Sequence, residues 1–488
     1  MCAVFGIFGT KTQNTAMITA QGLSALQHRG QESTGITTSD GENIYTHKDV
    51  GLVSQVYNEQ STSNLKGHIA IGHNRYGTSS KRNPTHHIQP VMGEDKLFAM
   101  AHNGNLPDTT SLEIFLETHG IPNPGFNDSE MIYESVAYFV RQGISLRQAI
   151  IEASPLFTGV YCLLFMDKNN LIALRDPFGI RPLELGCLDD SYIFASETCA
   201  IDTVKGTFLR DVKPGEMIIV HNQKIESVQL KEPQPRLDIF EFVYFARPDS
   251  LLMGQNVYQV RKRFGVELAR EYPLNADLVI PIPDSGIPAA IGYAQSLGLP
   301  YEEGLTKNRY VGRTFILPNQ EERERSVARK LNPIPEIIMG KKVVLVDDSI
   351  VRGTTSRSLV RRVFAAGAKE VHLLITSPRV MFPDFYGIDT PDQSQLIAVR
   401  KTLSEIQQFI GATSLYYLSY AGLIKATSLS EKNLTTSCFT GEYPANIGRR
   451  HREVIYEKNS IGHYIKFYPI WDEDFSEDLV SPLYKPTF

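Results

Sequence analysis

At 488 residues the chain is longer than a single hydrophobic core usually serves, so about two to three domains are expected. Its 42% hydrophobic and 21% charged residues are ordinary for a globular protein, and it has no run of about 18 apolar residues suited to crossing a membrane. The net charge of −5, from 49 basic and 54 acidic residues, argues against nonspecific binding to nucleic acid or an acidic membrane surface.

In chain order, the part up to residue 230 offers short apolar runs separated by turn signals. Val4–Phe8, Ile69–Gly72, Leu97–Ala101, Val160–Met166, Leu171–Leu174 and Met217–Val220 are expected as strands. Helical spacing occurs at Thr15–Gln27 and at Ser129–Arg141, the second with Asp128 or Ser129 as its cap. Lys231–Pro235 is polar and proline-rich and marks a domain edge, giving expected domains of 2–230 and 231–488. Beyond it, helix Val257–Tyr272, strand Asp277–Ile282, helix Ile287–Leu297, strand Val343–Val346, helix Thr355–Ala366 and strand Val371–Thr376 follow one another. That alternation predicts a right-handed parallel α/β unit.

The five cysteines, Cys2, Cys162, Cys187, Cys199 and Cys438, are scattered, odd in number and form no CxxC pair. Reduced thiols in a cytoplasmic protein are the expectation, supported by the lack of a signal-peptide pattern at the N-terminus. Cys2 has a chemical use if Met1 is removed, because thiol and α-amine then share one residue. An α-amine is partly neutral near pH 7, its ordinary pKa being about 7.7–8.0, and can serve as base to the thiol.

Four polar segments accompany that cysteine: Leu26–Ser33, His73–Thr78, Ala101–Asn105 and Gly125–Glu130. Read alone, Arg75 is a surface ion-pair residue, Asn103-Gly104 a tight turn, and Asp128 a helix cap. Together, behind Cys2 and in this order, they resemble the class II glutamine amidotransferases. The resemblance implies an N-terminal-nucleophile hydrolase αββα sandwich in which Cys2 attacks the glutamine side-chain amide. It also implies that Arg75 grips the substrate carboxylate, Asp128 meets its ammonium, and Asn103 with the Gly104 N–H forms an oxyanion hole.

Lys341–Thr355 carries the second chemistry. An apolar strand delivers Asp347 and Asp348 to its C-terminal end, and a Ser/Gly/Thr loop then opens a helix, which is a phosphate-binding arrangement. A phospho-acceptor or Walker-B-like acid remains an alternative, although no Gly-x-x-x-x-Gly-Lys loop supports the latter. The segment resembles the phosphoribosyl pyrophosphate signature of type I phosphoribosyltransferases, whose α/β domain has a parallel sheet. That implies Asp347 and Asp348 at the ribose and metal, and Ser349, Arg352, Gly353, Thr354 and Thr355 around the 5′-phosphate. Ser285, in Pro281–Gly286, would help hold magnesium. The basic stretch from Lys307 to Lys330 reads by itself as a solvated loop; the resemblance makes it a lid, with Arg329 and Lys330 as pyrophosphate contacts.

Both resemblances in one chain imply that ammonia from glutamine passes through an internal channel to phosphoribosyl pyrophosphate. One Mg2+ per subunit, inhibition by purine nucleotides and a tetrameric assembly are further implications, with no nucleic-acid or membrane partner. A subgroup with this resemblance binds an iron–sulfur cluster through Pro-Cys-Phe-Tyr-Gly-Ile-Asp and Cys-x-x-Cys-Phe-Thr-Gly segments. Here the same places read Pro383-Asp384-Phe385-Tyr386 and Thr435-Thr436-Ser437-Cys438, so no cluster is expected. Two rivals stand against an amidotransferase acting on phosphoribosyl pyrophosphate. One is a class II enzyme with another acceptor, disfavoured by Val343–Thr355; the other is a binding protein without turnover, disfavoured by the presence of Cys2, Asn103, Asp347 and Asp348. The tail beyond about residue 445 carries no assignment.

Overall fold

The structure is a computed structural model that describes residues 1–10, 13–76, 87–308, 331–388, 390, 392–450 and 454. Two antiparallel sheets lie face to face in the N-terminal part. The first has seven strands, in spatial order Thr207–Asp211, Glu184–Leu188, Ser191–Ala195, Ala3–Phe8, Ile69–Arg75, Ser33–Ser39 and Ile44–Val50. The second has six, in the order Lys224–Gln229, Glu216–His221, Asn170–Arg175, Val160–Met166, Ala99–Asn105 and Val91–Met92.

Period-two alternation divides each strand between two layers. Val4, Ile69, Ile71, Ala99, Ala101, Leu164 and Phe194 meet between the sheets. Ala3, Phe5 and Ile7 face outward against helices Thr15–Ala25 and Thr198–Thr203. On the other side Phe98, Met100, Leu163 and Phe165 pack under helices Thr110–Thr118, Asp128–Arg141 and Leu146–Ala153. The result is the expected helix–sheet–sheet–helix sandwich.

The C-terminal part is built on a four-stranded parallel sheet, ordered Leu278–Pro281, Lys342–Asp347, Glu370–Ile375 and Ser414–Tyr417. Helices cover both faces, so its strands are apolar on both sides rather than alternating. Val343 and Leu345 join one core with Leu359 and Val363 of helix Thr354–Ala365. Val344 and Val346 join the other with Phe264 of helix Val257–Glu271 and Tyr293 of helix Ile287–Leu297.

Several bounds differ from the sequence reading. The Ile69 strand runs to Arg75 and the Ala99 strand to Asn105, because polar residues continue the ladders: Arg75 pairs with Ser33 and Asn103 with Cys162. Asn103-Gly104 therefore lies within the strand, near its C-terminal end, rather than in a tight turn. Helix Asp128–Arg141 is capped by Asn127, whose side chain accepts from Glu130 N, and not by Asp128 or Ser129. A short parallel ladder, Leu237–Asp238 with Leu434–Thr435, leads into a single widened helical turn at Glu241–Phe245. No helix among the described residues is long and apolar enough to cross a membrane.

Candidate active site

Cys2 is half-buried at the start of the strand Ala3–Phe8. The register Ala3 opposite Asn74 sets it beside the Asn74–Arg75 end of the neighbouring strand. Ser196 Oγ ties the two sheets together here, accepting from Val4 N at 2.9 Å and lying 3.5 Å from Asn103 Nδ2. Asn103 is 1% exposed, so its carboxamide is aimed by packing rather than left to solvent. Cys2, Arg75, Asn103 and Gly104 thus gather where the strand ends of both sheets meet.

Glycine at position 104 is required by a close approach. A Cβ there would stand 2.0 Å from the Val160 carbonyl oxygen, a backbone atom of the adjoining strand. Gly104→Ala is expected to cost about 1–3 kcal/mol of stability by overpacking, measured as a lowered urea midpoint. An unaltered midpoint would show that these strands separate freely.

Arg75 pairs with Glu32 through Nε at 3.4 Å, while its Nη1 is buried without a hydrogen-bond partner among the described residues. A guanidinium edge in that state suits a ligand carboxylate. Asp128 accepts from Leu106 N at 3.0 Å and Ser129 N at 2.8 Å. Its Oδ2 also lies 3.8 Å from His102 Nδ1. His102 is fixed in turn by Ser129 Oγ at 3.0 Å, and its backbone N donates to Gln89 Oε1 at 2.6 Å. Burial, partly countered by Asp128, pushes the His102 pKa down, so it supports the site as a neutral ring.

His73 is buried with Nε2 3.1 Å from the His102 carbonyl, and burial lowers its pKa from 6.5 to about 3. Below pH 6.5 the unfolded chain takes up a proton at this ring that the fold excludes. Stability then falls with decreasing pH by up to about 1.4 kcal/mol per unit. Urea unfolding between about pH 7.5 and 5 should show a shallower pH slope for His73→Gln than for the parent. Equal slopes would mean that the folded protein protonates His73.

Arg29, part of the Leu26–Ser33 segment, is wholly buried beside Cys2. Its Nε donates to the Cys2 carbonyl at 3.3 Å, Nη1 to Glu197 at 2.5 Å and Glu241 at 3.0 Å, and Nη2 to Glu241 at 2.7 Å. Although burial disfavours its charge, Glu241 and Glu197 raise its pKa above the ordinary value. Neither acid was legible as a partner, since they lie 212 and 168 residues away in the chain.

The second centre lies at the carboxyl edge of the parallel sheet. Asp347 ends its strand, and Asp348 is buried just beyond it. Ser285 Oγ, from the loop after Leu278–Pro281, donates to Asp348 Oδ2, and Ser349 Oγ donates to Asp348 Oδ1 at 2.6 Å. Gly286 allows this meeting, because a Cβ there would stand 2.3 Å from the Val346 carbonyl oxygen. Burial first, and the Asp348 charge second, push the Asp347 pKa well above the carboxylate range. Asp348 is also raised by burial, against its hydrogen bonds from Ser285 and Ser349.

Gly353, at φ +75°, makes the left-handed turn into helix Thr354–Ala365, so Thr354 and Thr355 stand at the helix N-terminus. Arg352 reaches Gln395 Oε1 at 3.1 Å. The sequence-predicted Ser285, Asp347, Asp348, Ser349, Arg352, Gly353, Thr354 and Thr355 therefore surround one sheet edge. Lys307, whose Nζ pairs with Asp284 Oδ2, brings a cation to the same loop. Gly77, Thr78, Arg329 and Lys330 lie outside the described residues. Among the described residues no group of three or more His, Cys, Asp or Glu side chains could hold a metal alone. Two raised carboxylates and a hydroxyl nevertheless form an all-oxygen set, which fits a hard cation completed by a ligand's phosphates.

Comparison with known proteins matches both parts of the chain. Residues 73–203 match the glutamine amidotransferase domain family, and residues 248–378 the phosphoribosyl transferase domain family. The amidophosphoribosyltransferase of Synechococcus elongatus is 46% identical over 455 residues, covering 91% of this chain and 92% of that protein. That of Methanocaldococcus jannaschii is 44% identical over 465 residues, covering 92% and 98%. The solved glutamine phosphoribosylpyrophosphate amidotransferase of B. subtilis, complexed with ADP and GMP, superposes with a TM-score of 0.83 at 43% identity. That likeness covers 92% of this chain and 98% of the other.

Proposed function

From the premise that this chain belongs to the amidophosphoribosyltransferase family, we propose how its own residues divide the work of the reaction. The reaction is the family's: glutamine, water and phosphoribosyl pyrophosphate give 5-phosphoribosylamine, glutamate and pyrophosphate, in purine biosynthesis. The two units would divide near residue 230, Cys2 belonging to the first and Asp347 to the second. The reading is carried chiefly by the gathering of Cys2, Arg75 and Asn103 at one junction of strand ends.

In the proposed glutaminase, Met1 is removed and the freed α-amine accepts the Cys2 thiol proton. The sulfur attacks the carboxamide carbon, and Asn103 Nδ2 with the Gly104 N–H takes the developing oxyanion. Each such donor is worth about 3–4 kcal/mol of barrier. The amine returns its proton to departing ammonia, and water then splits the thioester to glutamate. Arg75, whose Nη1 has no partner among the described residues, would hold the substrate carboxylate, and Asp128 its ammonium.

In the proposed phosphoribosyl site, Asp347 and Asp348 accept from the ribose hydroxyls. The Ser349–Thr355 loop and the helix N-terminus cradle the 5′-phosphate. Mg2+, one per subunit, would be held by Ser285, Asp347 and Asp348; when bound it neutralises charge on the departing pyrophosphate. Lys330 remains a proposed pyrophosphate contact. No iron–sulfur cluster is proposed. Asp384 is bound by Tyr386 N and Ile388 N at 2.8 Å each and lies 3.6 Å from Arg181, while Thr435 offers a hydroxyl; neither supplies a thiolate. A cytoplasmic tetramer regulated by purine nucleotides completes the reading.

The test is purified protein with glutamine, Mg2+ and phosphoribosyl pyrophosphate, followed for glutamate and pyrophosphate. Equimolar release is expected. Glutamate release with no accompanying pyrophosphate would overturn the proposed acceptor site.

A further inference from the structure

The buried carboxylate of Glu241 has no part in the mechanism above, yet its two oxygens hold the two terminal nitrogens of the arginine that touches Cys2, Oε1 also accepting a longer bond from Arg181 Nη1 at 3.4 Å. We propose that Glu241 is a positioning residue for the glutaminase, clamping Arg29 from beyond the linker and thereby aiming the Cys2 nucleophile. The inference rests on the reading of Cys2 as that nucleophile.

A guanidinium is planar, so fixing its two terminal nitrogens also fixes where Nε points. Glu241 Oε1 and Oε2 hold Nη2 at 2.7 Å and Nη1 at 3.0 Å, and Nε is thereby directed at the Cys2 carbonyl, 3.3 Å away. Glu197 cannot replace this grip, because it reaches only Nη1 of Arg29, and its oxygens serve further groups. They accept from His28 Nε2 at 2.6 Å, Ser250 Oγ at 2.6 Å and Arg247 N at 2.8 Å. It neutralises Arg29 from one side; Glu241 orients it.

Glu241 is itself held rigidly. It opens the turn Glu241–Phe245, and Arg261 of helix Val257–Glu271 donates to the Phe242 carbonyl at 2.7 Å and the Ala246 carbonyl at 2.8 Å. Ile239 N donates to the Thr435 carbonyl at 3.1 Å, just before the turn. Phe242, Val243 and Val257 share the core that also contains Val344 and Val346 of the phosphoribosyl sheet. The nucleophile of one half is thus referenced to the body of the other. Displacement of a reacting atom by about 1 Å costs on the order of a hundredfold in rate, so this orientation is worth holding.

Glu241→Gln keeps the shape and one acceptor while losing the paired grip. With saturating phosphoribosyl pyrophosphate and Mg2+, its glutamine-dependent kcat is expected to fall about 10- to 100-fold, with KM for glutamine within about threefold of the parent. Alkylation of Cys2 by iodoacetamide should slow across the pH range, while ammonia-dependent pyrophosphate release stays within about twofold. An unchanged glutamine kcat, or a parallel fall in both activities, would overturn the proposal. If Glu241→Gln does not accumulate as folded protein, Arg29→Lys carries the same readouts, since it keeps the charge and loses the fork. Cys2→Ala separates the two readings. Persistent glutamine use in that variant removes the nucleophile itself, whereas a dead Cys2→Ala beside a fully active Glu241→Gln removes only the clamp.

Discussion

Cys2→Ala protein is expected to lose glutamine-dependent synthesis by more than about a thousandfold while retaining ammonia-dependent pyrophosphate release within about twofold. The substitution deletes the atom proposed to bond to the amide carbon, and Cys187 cannot replace it, since it pairs with Tyr192, opposite Phe8 at the far end of the strand that Cys2 precedes. Cys162, Cys199 and Cys438 are buried, and burial raises the thiol pKa of each, foremost among the causes. The fold should tolerate the change. Cys2 precedes the strand Ala3–Phe8, whose ladders to both neighbours are backbone bonds that an alanine leaves intact. The phosphoribosyl sheet has its own cores, which contain neither Cys2 nor its strand. Ammonia supplied from solution should therefore still meet a functional acceptor site. The measurement is pyrophosphate release with glutamine and, separately, with ammonium salt at alkaline pH. Loss of both activities would mean that the halves cannot act separately.

What the sequence disclosed and what it hid follow from the range of the forces involved. Val343–Asp348 was legible because a parallel strand covered on both faces must be continuously apolar, and its acids must come after it. Ser33–Ser39 was not, since its serines and threonines are fully buried and leave no hydrophobic alternation to read. Two of those hydroxyls find partners at a distance: Thr38 donates to the Lys66 carbonyl at 2.8 Å and Ser39 to the Lys168 carbonyl at 2.9 Å. Asn127 was passed over as a cap because three polar residues in a row could each end a helix, and only the backbone direction chooses. Arg75 and Asp128 could be named from motif order, but the supports around them could not. Glu241 stands between phenylalanines as one charge in an aromatic run, and its worth comes from an arginine far up the chain.

The acidic pair gives the other large expected effect. Asp347→Asn should abolish synthesis with glutamine and with ammonia alike, by about a hundred- to a thousandfold, because both nitrogen sources use the same acceptor site. The two acids are not equivalent. Asp348 is engaged by Ser285 and Ser349, whereas the Asp347 side chain accepts, among the described residues, only from Asp348 N at 3.0 Å. On the proposed reading, Asp347 is thus the carboxylate left to receive ribose hydroxyls or a cation. The same placement makes it unfavourable without ligand: burial and then the Asp348 charge raise its pKa well above 3.8. The folded state accordingly holds that proton more tightly than the unfolded chain does, and stability is lost as pH rises from 3.8 through the folded value. Asparagine removes that loss, so the ligand-free variant should melt at or above the parent's temperature at neutral pH, with the difference vanishing below pH 3.8. An inactive yet more stable protein is the signature of a side chain retained for its ligand. Full activity in Asp347→Asn, with either nitrogen source, would place the ribose elsewhere.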